Sequence, residues 1–341
     1  MKGFTMYNGK LKTTIIFYIS LLFIVSNFLS FAQPQQKNEE QHSRERVKAA
    51  NIRTIRSFLH IYKFGEPVKK GMRKETVTYD SLGRRIEWTS FDTTGNIVFK
   101  FKYKYDSIGN RINDFKYKSN NSLSLKIEHR YDNQGNELES VTYDSVGDIA
   151  AKTVSTFDSL GHCSEWVEYR SDGSVSDQKA YTFDRNGNLV EETQAIMDKL
   201  KKGEKLQTIK MSEEHKTFAY DGNGNMIEEV SFSAKGDIVS KISYKYDANN
   251  NLAEMSESIP QRMSKGKTLI KTESVSEKTT YAYDSKGNLS EENAFSVDGS
   301  ISSKTVYTYD EFGIKTGEIY FNVKLNEPQS QTKYTFVNFQ K

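Results

Sequence analysis

The chain of 341 residues contains a single cysteine, Cys163, five scattered histidines and two tryptophans. One cysteine excludes an internal disulfide framework, so stability has to come from packing and hydrogen bonds. Cys163 itself reads as a small buried residue rather than a reactive thiol. No His-Glu-x-x-His, Gly-x-Ser-x-Gly or phosphate-cradling loop is present. The histidines at 42, 60, 129, 162 and 215 do not cluster, so the sequence carries no converging catalytic constellation and an enzyme is not expected. Charge of one sign is also missing. The formal net charge is +3, with 48 Lys+Arg against 45 Asp+Glu.

That small excess belongs to the first 32 residues. Lys2, Lys10 and Lys12 form a basic head, an apolar run follows from Ile15 to Phe31, and Ser30-Phe31-Ala32 precedes Gln33. This is the pattern of an export signal with a small-x-small cleavage site. An uncleaved N-terminal membrane anchor is the alternative, because the run approaches the roughly 18-residue lower bound for spanning. The absence of a cysteine after the run argues against a lipid anchor. With residues 1–32 removed, 45 basic residues face 45 acidic ones, so no net-basic footprint for nucleic acid remains. Residues 33–50 are polar and aperiodic and read as a linker. From residue 51 to 341 composition does not break, which predicts one domain.

What the chain has in quantity is aromatic residues, 20 Tyr and 20 Phe, in a strict order. Anchors at Tyr79, Phe91, Tyr105, Tyr117, Tyr131, Tyr143, Phe157, Tyr169 and Phe183 alternate in 12- and 14-residue steps. The phase resumes at Tyr220, Phe232 and Tyr246, and again at Tyr283, Phe295, Tyr309 and Phe321. The unit is 26 residues, the kind of period that marks a repeat architecture. Every second anchor precedes an Asp with a Gly three residues later, as in Asp80/Gly83, Asp106/Gly109 and Asp310/Gly313. Asp caps the turn and Gly takes positive φ, which predicts a type I turn closed by a glycine bulge. Asp247 has Asn250 in place of Gly, the next-best residue for that conformation.

Between turns, Ile97, Phe99, Phe101, Tyr103 and Tyr105 alternate with Val98, Lys100, Lys102 and Lys104, the mark of a half-buried strand. These 14-step strands are expected to run straight. In the 12-step strands the gap from Ile86 to Phe91, or Ile112 to Tyr117, is odd, which predicts a recurrent bulge. Recurrent Lys and Glu positions predict a solvent-facing ladder pairing Glu87 with Lys100, Glu139 with Lys152, Glu228 with Lys241 and Glu291 with Lys304. The second set of turns is looser in sequence. It is followed by insertions near 196–215 and 259–278, related by a 63-residue offset, and by Pro67, Pro260 and Pro328. One rim is thus expected to be uniform and the other variable, the place where a repeat protein carries its specificity.

The strings YKYDSIGN (103–110), YTFDRNGN (181–188), YKYDANNN (244–251), YAYDSKGN (281–288) and YTYDEFGI (307–314) resemble the YD repeat of Rhs and teneurin proteins across about residues 70–315. The resemblance implies antiparallel hairpins coiling into a long spiralling sheet, used at cell surfaces and in secreted toxins, with carbohydrate binding often suggested. The chain is much shorter than an Rhs shell and ends at Lys341 without the family's self-cleaving core or toxin domain, so toxin delivery does not carry over.

The fold expected is therefore all-β: repetitive antiparallel hairpins forming a long twisted or curled sheet, an open barrel or a solenoid-like array. Trp88 and Trp166 share one repeat position and are the candidate ligand-binding residues, since tryptophan stacks on sugars. Asp114, Ser140, Glu192, Glu229 and Glu292 hold that position elsewhere, which predicts a wet site. Six strands separate the two tryptophans, about 29 Å, so they would make two sites or none. No cofactor and no metal are expected; Asp221–Asn225 comes nearest to a calcium loop but lacks the bidentate Glu. The function expected is an exported, cell-surface or secreted binding module, with glycans or envelope polymers as the ligand class. The alternative is a structural or assembly component of the envelope with a protein partner, docking along an open end strand; a hydrolase is the third and least supported reading.

Overall fold

Each half-repeat becomes one strand and each Tyr–Asp string one hairpin turn. The computed structural model describes residues 34–63, 65–196, 212–265, 268–323 and 327–340. A helix, α1 (Pro34–Ala49), precedes β1 (Ile52–Lys63), β2 (Glu66–Pro67), β3 (Met72–Tyr79), β4 (Arg85–Phe91), β5 (Ile97–Tyr105), β6 (Arg111–Lys118) and β7 (Leu123–Tyr131). The series continues with β8 (Glu137–Tyr143), β9 (Ile149–Phe157), β10 (Cys163–Arg170), β11 (Val175–Phe183), β12 (Leu189–Ile196), β13 (Ser212–Tyr220) and β14 (Met226–Phe232). It ends with β15 (Ile238–Tyr246), β16 (Leu252–Lys265), β17 (Thr268–Tyr283), β18 (Leu289–Phe295), β19 (Ile301–Tyr309), β20 (Lys315–Asn322) and β21 (Glu327–Asn338).

From β3 to β21 the strands pair antiparallel in chain order. Then β1 pairs with both ends: Phe58 lies opposite Lys333 of β21 and Arg73 of β3. The wall is a closed barrel of 20 strands, with β2 a short flap folded on β1. The expected curled sheet is thus neither open nor solenoid-like. Closure removes the two end edges on which strand addition was expected, which is how barrels abolish edges. The expected export signal, residues 1–32, lies outside the described residues, and residues 33–50, expected as a linker, are mostly α1.

The turns match their sequence and extend it. Asp106 N–H donates to Asn110 O, Gly109 N–H donates to Asp106 O, and Gly109 has φ +100. Asn250 takes the same left-handed conformation at φ 63. The second set of turns, loose in sequence, has the same backbone bonds, as at Lys118–Ser122 and Ser233–Asp237. Where the first turn residue is Lys118 or Arg170, the cap comes from two residues on: Asn120 Oδ1 accepts from Ser122 N–H and Asp172 Oδ1 from Ser174 N–H. The insertion near 196–215 lies mostly outside the described residues; the one near 259–278 lengthens the β16–β17 hairpin.

The predicted bulge is present in the 12-step strands. Tyr105 pairs with Arg111 and Lys104 with Asn113, leaving Ile112 as the extra residue. The 14-step strands are not straight, however. Phe91 pairs with Ile97 and Ser90 with Phe99, so Val98 is extra as well. The same five-residue loop at both rims imposes the same irregularity after it, and bulges at both ends raise the local twist that closure needs.

The tyrosine of the Tyr–Asp string has a specific partner. Tyr105 Oη donates to Arg85 O at 2.7 Å, one residue before the bulged Ile86 of the preceding hairpin. Tyr131 reaches Arg111 O, Tyr220 reaches Leu189 O, Tyr246 reaches Met226 O and Tyr283 reaches Leu252 O, all at 2.8–2.9 Å. Each hydroxyl ties one turn to its neighbour at a point where the ladder is interrupted. This, rather than packing alone, is the chemistry that the repeat's tyrosine supplies.

No conventional core fills the wall. Among the described residues only the small side chain of Cys163 is fully enclosed. A barrel of this strand number is too wide for side chains to fill. A small cluster of Val47, Ile52 and Ile314, backed by Ile55, Tyr79 and Phe336, seats α1 on the tight rim. There Arg46 donates to Gly313 O at 3.1 Å, and a Cβ on Gly83 would lie 2.3 Å from Arg44 O.

Candidate binding face

Cross-strand register sorts the side chains onto two faces. One carries the ion-pair ladder: Lys241–Glu228 at 2.9 Å, Lys304–Glu291 at 2.6 Å and the contact of Lys152 with Glu139, three of the four expected pairs. Glu87 instead meets Lys102 at 3.9 Å, while Lys100 donates to Asn121 Oδ1. Lys102, Arg130 and Lys245 stay 52%, 63% and 71% exposed, so these pairs add little to stability.

The other face carries the Trp88 ring cluster. Trp88 lies opposite Phe101, with centroids 5.8 Å apart and planes 16° from parallel, and meets Phe99 edge-on at 5.0 Å. Phe101 in turn stacks on Tyr103 at 6.1 Å. Lys116, opposite Phe101 on β6, holds its ammonium 5.6 Å from that ring and 5.7 Å from Phe99. The Arg111 guanidinium sits 5.4 Å over Tyr103. Trp88, Phe99, Phe101 and Tyr103 thus form one aromatic platform with cations on it, an arrangement of paired rings and quadrupole–cation contacts.

Beside the platform is an enclosed cluster of His129, Asp114 and Glu137. His129 and Asp114 side chains are 7% and 8% exposed and Glu137 11%. His129 Nδ1 bonds Glu137 Oε1 at 2.9 Å, whereas Asp114 Oδ1 stands 3.7 Å from Nε2, beyond hydrogen-bond reach. Burial alone would lower the imidazole pKa, but the two carboxylates outweigh it and raise the value to about 9. The imidazole is therefore a buried cation at neutral pH. Asp114 also takes the Arg111 guanidinium at 3.1 Å. Sequence spacing missed this cluster. The signal was there, since His129 occupies the place of Tyr103, Tyr181, Tyr244, Tyr281 and Tyr307 two residues before the anchor.

The tryptophan row runs around the whole face but is not wet. Asp114, Ser140 and Trp166 are 6%, 5% and 8% exposed. Trp166 pairs with Ser155 and Lys179, near the buried Cys163, whose thiol burial pushes up to about 11. Trp88, half-buried, and Trp166 are not brought together. Elsewhere on the row carboxylates are met by cations and phenols: Glu192 by Lys179 at 2.9 Å, Glu229 by Lys216 at 2.7 Å, and Glu292 by Tyr307 Oη at 3.0 Å.

The turn aspartates are already committed. Asp221 Oδ1 accepts from the backbone of Asn223 and Asn225, and Oδ2 from Asn225 Nδ2. Among the described residues no group of three or more His, Cys, Asp or Glu is arranged to hold a metal ion.

No family model and no curated protein matches the sequence. Among solved structures, a porin-like protein from Bacteroides uniformis is 12% identical over 84% of this chain and 98% of its own, with a TM-score of 0.32. A porin-like protein from Bacteroides vulgatus is 8% identical over 84% and 99%, with a TM-score of 0.27. The TcdB2-TccC3 structure lacking its hypervariable C-terminal region is 9% identical over 76% of this chain, with a TM-score of 0.19; the match spans 19% of that chain's length.

Proposed function

We propose that the chain is an exported β-barrel binding module of the cell surface or envelope, and that its aromatic face takes glycans or related envelope polymers. The observation that carries this is the Trp88–Phe99–Phe101–Tyr103 platform flanked by Lys116 and Arg111. Rings bordered by fixed hydrogen-bond donors are what polyhydroxylated ligands require. The basic, apolar N-terminal segment supports export, and the YD-like strings support a surface role. Water is the medium that suits both faces of the wall. Placing Lys102, Arg130 or Lys245 against lipid would cost about 2–4 kcal/mol each at the bilayer midplane, and the opposite face carries Asp114, Glu192 and Glu229.

The test uses the two tryptophans. In Trp166→Phe protein, fluorescence reports Trp88 alone. Titration with purified surface polysaccharides, preceded by a glycan array, is expected to shift that emission, and Trp88→Ala is expected to abolish the array signal. An array without signal, together with unchanged emission, refutes the reading. An envelope component with a protein partner is the second reading; the β16–β17 hairpin, which rises beyond its neighbours, favours it.

A further inference from the structure

The ion-pair ladder breaks off at the seam, where β1 closes the ring. Elsewhere on its face a lysine meets a glutamate, as Lys152, Lys241, Lys278 and Lys304 do. Phe91 lies four residues from Glu87 on β4 and so belongs to that face. The Arg73 guanidinium stands 5.1 Å from the Phe91 ring and 5.9 Å from the Phe58 ring, which brings Phe58 of β1 onto the same face. Arg56 and His60 flank Phe58 at period two. Register sets Thr335 and Thr76 beside Arg56, Lys333 and Arg73 beside Phe58, and Gln331 beside His60. None of these cross-strand partners is a carboxylate. Among the described residues Arg56, Lys70, Arg73 and Lys333 make no ion pair.

A groove of about 470 Å³ opens on this basic row. Phe58 and Met72 give it an apolar lining, Lys70 and Arg73 its charge, and the turn at 93–95 its far side. The near side is fixed. His60 Nδ1 bonds Val68 O at 2.9 Å, and a Cβ on Gly71 would lie 2.5 Å from His60 Nε2. The imidazole thus holds the connection from β2 to β3, and Lys70 with it, against β1. The carboxylate of the far turn, Asp92, is occupied by its own loop: Oδ1 accepts from Thr94 N–H, Thr94 Oγ1–H and Asn96 N–H. Uncompensated cations around a cleft focus a positive potential on it, whatever the net charge of the chain. The guanidinium fork of Arg73 matches a carboxylate. A bare anion would leave Phe58 and Met72 uncovered, so the groove suits an anionic group carried on a ring.

We propose that the seam groove binds a carboxylate-bearing glycan: a uronic-acid unit pairs its carboxylate with Arg73 and lays its ring on Phe58, while Lys70 and Lys333 take the acidic groups of neighbouring units. This deepens the glycan reading above and rests on it for the polymer, but the site is a separate one. Phe91 and Trp88 are three residues apart on β4, so the groove and the tryptophan platform lie on opposite faces. Lys333 and Arg73 flank Phe58 two strand spacings apart, about 10 Å, so one acidic polymer meets both.

Calorimetric titration of the full chain with size-defined oligogalacturonate should show saturable binding at low salt. The methyl-esterified oligomer, which keeps the rings and loses the charge, should bind at least about tenfold more weakly, and inorganic phosphate should compete poorly. Arg73→Gln with Lys333→Gln should weaken binding at least about tenfold. Lys102→Gln with Lys245→Gln removes the same charge from the ladder elsewhere and should leave binding unchanged, as should Trp88→Ala. Arg73, Lys333, Lys102 and Lys245 are exposed, so circular dichroism and the unfolding midpoint should hold in both double variants. Binding that both double variants weaken alike is diffuse charge attraction and overturns the proposal. So does equal binding of the esterified oligomer, or phosphate competing as well as the uronate does. Uronate binding lost in Trp88→Ala and kept in the seam variant overturns it too, and leaves the platform as the glycan site. No uronate binding, beside an array signal for other glycans, overturns this inference alone; an array without any signal overturns the glycan reading with it.

Discussion

Removing the hydroxyl that ties one turn to the next isolates what tyrosine does in the repeat. In Tyr246→Phe the ring stays and the 2.8 Å bond to Met226 O goes. The carbonyl lies beside a bulge where the ladder is interrupted, so it loses its partner instead of exchanging it. A lost bond of this kind costs about 1 kcal/mol, rising to roughly 3 if water cannot replace it. Tyr131 makes the same bond eight strands away and Tyr283 two strands away, each to its own acceptor, and changes that share no acceptor add to within about 0.5 kcal/mol. The triple Tyr→Phe variant should therefore lose about 3 kcal/mol. Urea unfolding followed by circular dichroism measures it, provided the transition remains single, since repeat arrays can lose cooperativity. The converse change is the sharper control. Phe157 stands at an anchor position, and the 20-residue offset that links Tyr105 to Arg85 and Tyr131 to Arg111 aims it at Glu137 O. Phe157→Tyr should gain a bond and stabilise the protein. If the triple variant loses under 0.5 kcal/mol and Phe157→Tyr gains nothing, water serves these carbonyls as well as tyrosine does, and the argument fails.

The charged imidazole sets a pH window. Because the folded pKa of His129, about 9, lies above the unfolded value near 6.5, its contribution is complete below about pH 6.5 and is lost as pH rises through 9. NMR titration should place the imidazole there, and His129→Gln should flatten stability between those values. At the acid end the sign reverses. Hydrogen bonds from Asn225, side chain and backbone, hold the Asp221 carboxyl below its usual range, and Asn188, Asn251 and Asn288 do the same for Asp184, Asp247 and Asp284. Their contribution is present above about pH 4 and disappears as pH falls through the folded values, so acid unfolding should begin below pH 4 and be steep. At the tight rim, Gly83→Ala combines a φ of +75 with a Cβ 2.3 Å from Arg44 O. It should destabilise by about 1–3 kcal/mol and expose α1 to limited proteolysis, where Gly95→Ala, equally left-handed but in open space, leaves α1 protected.

Local chemistry was readable because it acts over a few residues. Asp at the start of a turn and Gly or Asn three positions on fix a five-residue loop with two backbone bonds, and the odd gap from Ile112 to Tyr117 announces a bulge. The failures share one cause, which is that they depend on what lies two or more strands away. Val98 bulges although its strand keeps perfect alternation, because the irregularity comes from the loop before it. The looser turns keep their shape because Asn120 and Asp172 cap from a different position than Asp106 does. The Asp and Glu members of the tryptophan row predict a wet position. Asp114 is buried all the same, since His129 and Arg111 from other positions surround it.

Closure is the extreme case of the same dependence. It is decided by β1, which has no Tyr–Asp string and reads as a preamble to the repeat, yet pairs with β21 across Ile52–Ile61 and with β3 across Thr54–Leu59. A ribbon of repeats has identical interactions at every internal strand and none that count strands, so the repeat cannot specify where it stops. The device that does is local to the seam. Val47 and Ile52 from before the repeat meet Ile314 and Phe336 from its end, and Arg46 reaches Gly313 O. Closing the ring therefore depends on residues outside the periodic pattern.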